Sequence, residues 1–207
     1  VVERKFVETE IRMGGKVAYD ETRLSYITAW VPGRLDRLYV DYTGVAVNKG
    51  DHLADLYSPD LLSAQEELLQ AIQTSESLKT SESNFLKSKS LANIESTKEK
   101  LRLWGLSEDQ ISAIEESGTS SDHITINSPI SGIVVHKDAL EGMYVKTGNR
   151  VYTIADLSKV WVKLDAYESD LPWLHYGQKG EFLTEAFPGE VFKGQIAFID
   201  PVLNAKT

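Results

Sequence analysis

No cysteine occurs in the 207 residues, which excludes disulfides and thiolate metal sites. That absence leaves the compartment open and is compatible with an oxidising one. Methionine is almost missing as well. Met13 and Met143 are the whole supply, too few for a thioether cluster able to hold a soft metal ion. Positive charge is short: 22 Lys and Arg face 31 Asp and Glu, a formal net charge of −9. Such a chain lacks the basic face that a phosphate backbone requires, so no nucleic-acid partner is expected. There is no apolar run long enough to span a bilayer as a helix. The chain opens Val1-Val2-Glu3-Arg4, with neither an initiator Met nor a signal peptide, and reads as processed or trimmed.

Catalytic signatures are also missing. No G-x-S-x-G, P-loop or G-x-G-x-x-G is present, each of which would place a nucleophile or cradle a phosphate. His52, His123, His136 and His175 are scattered, with no i, i+4 partner to form a helical metal face. Glu168 and Asp170 lie in a Pro172-containing stretch that reads as a solvated turn. The expectation is a non-enzyme with no catalytic residues and no cofactor, its metal ligands unassigned.

What the sequence does contain is a repeat, interrupted in the middle. One copy runs Val31-Pro32-Gly33, then Gly44-Val45-Ala46-Val47-Asn48-Lys49-Gly50, and ends at Leu56. The other runs Ile130-Ser131-Gly132, then Gly142-Met143-Tyr144-Val145-Lys146-Thr147-Gly148, and ends at Ile154. Each reads as a Gly, a short strand, then G-x-x-V-x-x-G. Self-similarity of this kind is the first thing to settle in a fold argument. Gly33, Gly44, Val47, Gly50, Gly132, Gly142, Val145 and Gly148 are therefore the expected turn residues of two half-modules of one small β domain. Trp30 and Trp161 lie in strand-like runs and are expected in the core.

Between the copies the hydrophobic period changes. Ser58-Pro59-Asp60 carries an N-cap, a first-turn proline and an acid at the positive end of the dipole. Leu61, Gln65, Leu68, Ile72 and Ser75 then keep three-four spacing, a narrow amphipathic stripe. The chain is expected to turn around somewhere between Thr74 and Ser90. Leu91, Ile94, Leu101 and Trp104 define a second helix, with Gly105 closing it. Ser107-x-x-Gln110 is a capping box opening a short third helix that Gly118 ends. The expected hairpin seam is Leu61, Leu68, Ile72, Ile94 and Leu101. Trp104 is expected to pack where the hairpin meets the β module. The pattern fits a solvated helical pair and equally a docking arm.

Period-two spacing predicts strands at both ends of the chain. Near the start, Val7, Thr9, Ile11 and Met13 share a face until Gly14-Gly15 breaks the run, and Lys16 to Glu21 follows. Near the end come Val160 to Leu164, Glu181 to Phe187 and Val191 to Ile199, the last two around Pro188-Gly189. Thr207 follows soon after a strand, and further residues are expected beyond it.

The half-motifs resemble the two halves of a biotinyl/lipoyl-like domain. In carriers of that fold the halves meet at a turn presenting a modifiable lysine; here a helical insertion takes that place. A lipoyl-like domain split by an α-hairpin and followed by a β-barrel resembles the periplasmic adaptor (membrane fusion) proteins of tripartite efflux pumps, in the HlyD-type superfamily. Three strings are similar to the CusB-like heavy-metal subgroup: Gly15 to Glu21, Leu56-Tyr57-Ser58-Pro59-Asp60-Leu61-Leu62, and Leu101-Arg102-Leu103-Trp104-Gly105-Leu106-Ser107. So are Ser128 to Gly132, Ile154 to Val162, and Phe187-Pro188-Gly189 with Phe192-Lys193-Gly194. Together they cover nearly the whole chain. Many adaptors carry an Arg-x-x-x-Leu-x-x-x-x-x-x-Ser motif at the hairpin tip; no Arg lies between Arg37 and Arg102 here.

The resemblance implies a mainly β fold with a helical hairpin: a split biotinyl/lipoyl-like sandwich, an inserted hairpin and a β-barrel domain. The implied divisions are 1–26 for the first barrel strands, 27–57 and 122–157 for the lipoyl-like halves, and 58–121 for the hairpin. Residues 158–207 would continue the barrel, ahead of a membrane-proximal region. It implies a periplasmic subunit of a Gram-negative bacterium, associated with the inner membrane. That subunit would link an inner-membrane RND pump to an outer-membrane channel, self-associate into a ring, and serve efflux of heavy-metal cations with at most transient metal contact. The alternatives are a metal-binding chaperone that delivers ions to the pump, and a biotinyl/lipoyl carrier.

Overall fold

The computed structural model describes residues 3, 10–78 and 83–200. It divides into two compact units, one of Val1–Ala18 with Val160–Thr207 and one of Tyr19–Lys159. In chain order the strands are β1 (Gly14–Tyr19), β2 (Leu24–Thr28), β3 (Gly33–Leu38), β4 (Ala46–Val47) and β5 (His52–Tyr57). The helices α1 (Pro59–Ser77), α2 (Asn84–Leu103) and α3 (Glu108–Ser117) follow. The chain then returns to β6 (His123–Asn127), β7 (Gly132–Lys137), β8 (Tyr144–Val145) and β9 (Arg150–Ala155). It ends through β10 (Val160–Asp165), β11 (Lys179–Phe182) and β12 (Phe192–Gln195).

In the larger unit, alternating apolar residues build two four-stranded sheets, ordered β6-β5-β3-β8 and β2-β9-β7-β4. The sequence repeat is a structural one: β2 to β5 correspond to β6 to β9. Each sheet takes its central pair from one half and its outer strands from the other. Antiparallel ladders thereby cross between the halves, with β3 paired to β8 and β4 to β7. The core between the sheets holds Leu35, Leu53, Leu56, Val134, Tyr152 and Ile154, all essentially inaccessible. The Tyr152 hydroxyl donates to the Val40 carbonyl at 2.9 Å, so the one phenol in this core is satisfied.

Helix α1 begins as its sequence dictates. Ser58 is extended and its Oγ accepts from the Leu61 amide. Helix α2 is capped by Ser83 and ends at Trp104, after which Gly105 takes φ +91°. Helix α3 carries the complete capping box of Ser107 with Gln110 and stops at Gly118 in the left-handed region. Among the described residues no helix is long and apolar enough to cross a membrane.

In the smaller unit β1 pairs with β10, and β11 with β12 antiparallel. Phe182 stacks on Phe192 across the second ladder at 5.2 Å, and Phe187 meets Phe192 edge-on.

Several expectations are corrected. Gly14-Gly15 does not break a strand but starts β1. A Cβ on Gly15 would sit 2.6 Å from the Lys163 carbonyl, so glycine allows close approach of β10 there. The Val7 and Thr9 positions of that run lie outside the described residues. The barrel strands were expected to extend to Tyr26, yet Leu24, Ser25 and Tyr26 pair with Ala155, Ile154 and Thr153 of β9. The sandwich needs them as its outer strand. Trp30 is 58% exposed and Trp161 half-buried, so neither is a core residue. Leu91 is 61% exposed, because Ser90 instead of Leu91 faces α1. The terminal strands are shorter than expected: Phe187 and Glu190 amides donate back to Thr184 and Phe187, turning residues between β11 and β12. The turn-around at 79–82 lies outside the described residues.

Candidate functional site

The half-motifs set the frame. Gly44 and Gly142 each donate their amide to the other half within one sheet, to Val134 and Leu35 carbonyls, both at 2.7 Å. Gly50 and Gly148 do likewise to Ser128 and Ala29 at 2.8 Å. The last two have φ of +92° and +86°, which a side-chain-bearing residue adopts only at a cost. Val47 and Val145 are buried opposite Gly132 and Gly33. A Cβ on Gly33 would lie 2.3 Å from the Tyr57 carbonyl, and one on Gly132 lies 2.4 Å from that of Ala155. Tyr57 and Ala155 are themselves equivalent positions, the last residues of β5 and β9.

Because the halves are equivalent, the sandwich has two equivalent exits. At one, the chain leaves β5 for α1 and returns to β6. At the other, it arrives in β2 and leaves from β9. The necks are closed by corresponding hydrogen bonds: the Ser58 amide to the Asp122 carbonyl at 3.2 Å, and the Asp156 amide to the Arg23 carbonyl at 3.1 Å.

The hairpin neck is fastened by side chains. Ser58, fully buried, donates its hydroxyl to the Pro32 carbonyl at 2.8 Å. Gln65 is 2% exposed. It holds Ser121 at both ends of its amide, accepting from the Ser121 N–H at 2.9 Å and donating to its carbonyl at 3.0 Å. The first turns of α1 are thereby pinned to the strand that returns. Around the neck lies an ionic cluster. The His123 ring nitrogens stand 2.8 Å from Asp122 and 2.9 Å from Asp36. Arg34 bonds Asp36 and lies over the Tyr57 ring. The Arg34 hydrogen bonds, followed by that of His123, hold the Asp36 carboxyl at a pKa of about 2.

The other neck carries a different cluster. Arg23 donates to Asp156 at 2.7 Å and to the Ser158 hydroxyl at 2.8 Å, and approaches Asp20 at 3.5 Å. Both Asp20 and Asp156 are held below the usual carboxylate range, first by hydrogen bonds from Thr22 and Ser158 respectively.

The expected seam residues fall on two levels. Leu61, Leu68 and Leu101 are fully buried, while Ile72 and Ile94 are partly buried against the same core. Beyond them the interface turns polar, with Ser75 and Ser90 hydroxyls 3.3 Å apart. Lys100 reaches Glu67 across the pair. Arg102 gathers Glu95, Glu99 and Glu108, which ties α2 to α3 and lowers the Glu108 pKa. Trp104 is half-buried against the core, under Lys100. His52 lies edge-on to Tyr39, His136 is opposite Thr153, and His175 belongs to the smaller unit. Among the described residues no three His, Asp or Glu side chains converge as metal ligands would.

Residues 24–155 match the family described as "CusB, barrel-sandwich hybrid domain", more than half of the chain. The chain belongs to the CusB-like membrane fusion proteins. Residues 159–207 of this CusB-like chain match "CusB-like, beta-barrel domain". Among similar proteins, the cation efflux system protein CusB of Escherichia coli K12 is 29% identical over 158 residues, covering 76% of this chain and 35% of that protein. The nodulation protein NolF of Rhizobium meliloti is 25% identical over 218 residues, covering 98% and 57%. The chain thus spans about a third of the length of the CusB relative. In fold it is similar to the crystal structure of ZneB from Cupriavidus metallidurans, with a TM-score of 0.58 at 22% identity, covering 93% of this chain and 84% of that one. The mainly β architecture, with a barrel-sandwich hybrid interrupted by a helical hairpin, is that of the membrane fusion proteins.

Sequence reasoning missed Trp30 and the pairing at Gln65. The Trp30 ring covers Gly105, whose Cβ would meet it at 3.0 Å. The only sequence signal for Gln65 was a polar residue sitting on an otherwise apolar stripe.

Proposed function

We propose that this chain is the central part of the adaptor subunit of a tripartite RND efflux system, carrying heavy-metal cations out of a Gram-negative cell. In this reading the protein resides in the periplasm, associates with the inner membrane and catalyses nothing. Copies pack side by side into a ring. The barrel (158–207 with β1) faces an inner-membrane pump, and the hairpin (58–121) reaches toward an outer-membrane channel. The lipoyl-like halves, β2 to β5 and β6 to β9, form the body of each copy.

The observation that carries this reading is mechanical. The sandwich is split where its β5 and β6 strands leave the core, and a helical pair is riveted into the split by Ser58 and Gln65. Such a mount transmits force and position, which suits a protein that spans a distance between two others. At the far end of the hairpin Phe85 is 72% exposed with Leu86 beside it, apolar surface suited to helix-to-helix docking. The relatives' names supply the cargo class, since the E. coli protein is a cation efflux protein. The test is deletion of the gene, with tolerance to copper, silver, zinc and cobalt salts scored, and cross-linking of the full-length protein in cells. Loss of tolerance to at least one cation, with cross-links to a pump and a channel, is expected. Unchanged tolerance to all four with no such cross-links overturns the reading. Stoichiometric metal binding by the purified protein would favour a chaperone instead.

A further inference from the structure

The two necks of the sandwich are equivalent in backbone and unlike in chemistry. At the neck leading from β9, the fastening cation is a guanidinium, which stays charged at any physiological pH. At the hairpin neck a guanidinium, Arg34, is joined on Asp36 by an imidazole, His123, whose ordinary pKa lies near 6.5. His123 sits directly opposite Tyr57 in the β5–β6 ladder, beside the Ser58 amide that closes the neck onto Asp122. Each of its two nitrogens has a carboxylate oxygen within hydrogen-bonding distance, Asp122 at 2.8 Å from Nδ1 and Asp36 at 2.9 Å from Nε2.

That geometry discriminates between protonation states. An imidazolium has two N–H groups and donates to both carboxylates. A neutral ring has one N–H, so one nitrogen presents a lone pair to a carboxylate that has only lone pairs to offer. One of the two links is then lost. The groups facing the ring are Asp36 and Arg34 from β3, Tyr57 from β5, and Asp122 from its own strand entry. Arg34 opposes a positive ring, but it is already engaged with Asp36, and the two carboxylates prevail. The His123 pKa is accordingly raised, by the Asp122 hydrogen bond first and that of Asp36 second.

We propose that His123 is a proton-operated latch at the root of the hairpin. The doubly bonded imidazolium ties β3 to the β6 entry and holds the neck shut. The neutral ring frees one tie and lets the neck open more often. The direction follows from linkage: a raised folded-state pKa gives a contribution present in full below the unfolded value and lost as pH rises through the folded one. Among the described residues the neck at β9 is fastened by Arg23 with Asp20 and Asp156, both carboxyls held low, and no histidine takes part there. This goes beyond the adaptor reading and does not depend on it.

The experiment is NMR on the 15N-labelled chain between pH 5.5 and 8.5. The His123 ring should titrate above the ordinary histidine value. Across that titration the exchange of the Ser58 amide, corrected for intrinsic base catalysis, should quicken about two- to fivefold, the scale of an exposed ion pair. The Asp156 amide, its equivalent at the other neck, should show no such step. In His123→Gln the Ser58 step should vanish, and in Asp36→Asn the His123 midpoint should fall. A Ser58 step that persists in His123→Gln overturns the proposal. If that variant does not fold, an unmoved midpoint in Asp36→Asn overturns it alone.

Discussion

Replacing Gly33 or Gly132 by alanine tests the internal symmetry of the sandwich in a single measurement. At Gly33 the added Cβ lies 2.3 Å from the Tyr57 carbonyl oxygen and 2.9 Å from Leu56 Cδ1. At Gly132 it lies 2.4 Å from the Ala155 oxygen and 3.0 Å from Ile154 Cγ2. Comfortable contacts with carbon begin near about 3.5 Å, so about one ångström must be found by moving backbone. The obstacle is a strand carbonyl, and moving it strains the β3–β5 or β7–β9 ladder. Each substitution should cost about 3 kcal/mol, the upper end of overpacking penalties. The two should agree within about 1 kcal/mol and add in the double variant, since they sit in different sheets. Gly14→Ala, where a Cβ meets nothing within 4 Å, is the control and should be near neutral. Urea unfolding followed by far-ultraviolet circular dichroism, with hydrogen exchange of β5 and β9 amides, reads the effect. If Gly33→Ala is strongly destabilising while Gly132→Ala is silent, the halves are not mechanically equivalent and the symmetry argument fails.

Gln65→Ala removes two hydrogen bonds to Ser121 at a buried site, and should destabilise by about 2–3 kcal/mol; exchange of α1 amides should speed up before that of β7 and β9. Replacing Leu68 and Ile94 together by Asp buries charge without a partner in the seam, and should lower the helical signal in circular dichroism while the sandwich amides stay protected. Asp36, whose pKa is depressed to about 2, stabilises the fold above the unfolded carboxylate value, and that contribution is lost as pH falls toward 2. Its carboxyl carbon shift should titrate there by NMR, and in Arg34→Ala the midpoint should climb toward the ordinary range; an unchanged midpoint would show that Arg34 is not the main cause.

Local features were readable in the sequence and non-local ones were not. The caps at Ser58, Ser107 and Gly118 depend on a few neighbouring residues, and spacing alone located them. Glycine spacing likewise exposed the half-motifs, because a turn at Gly50 or Gly148 constrains its own backbone. The exchange of outer strands between halves left no such mark. A repeat would look the same if each half kept its own strands, and only the ladders β3–β8 and β4–β7 decide it. Leu24 to Tyr26 were assigned to the wrong unit for the same reason, since strand periodicity does not name the partner. Trp30 misled because its size argues for a core, whereas its work is to cover Gly105 from outside. At Leu91 the apolar residue points outward and a serine takes the inner place, which a hydrophobic count along the helix does not anticipate.

The hairpin's attachment also governs how such proteins can vary in length. Its two ends enter the sandwich as neighbouring antiparallel strands, a gap of about 5 Å whatever lies beyond it. The 19 residues of α1 carry the chain about 28 Å from that gap. Adding one heptad to each helix would extend the reach by about 10 Å and keep the stripe in register, leaving every contact of Ser58 and Gln65 untouched. The hairpin is thus a ruler whose zero mark is built into the sandwich and whose length can be reset by matched insertions.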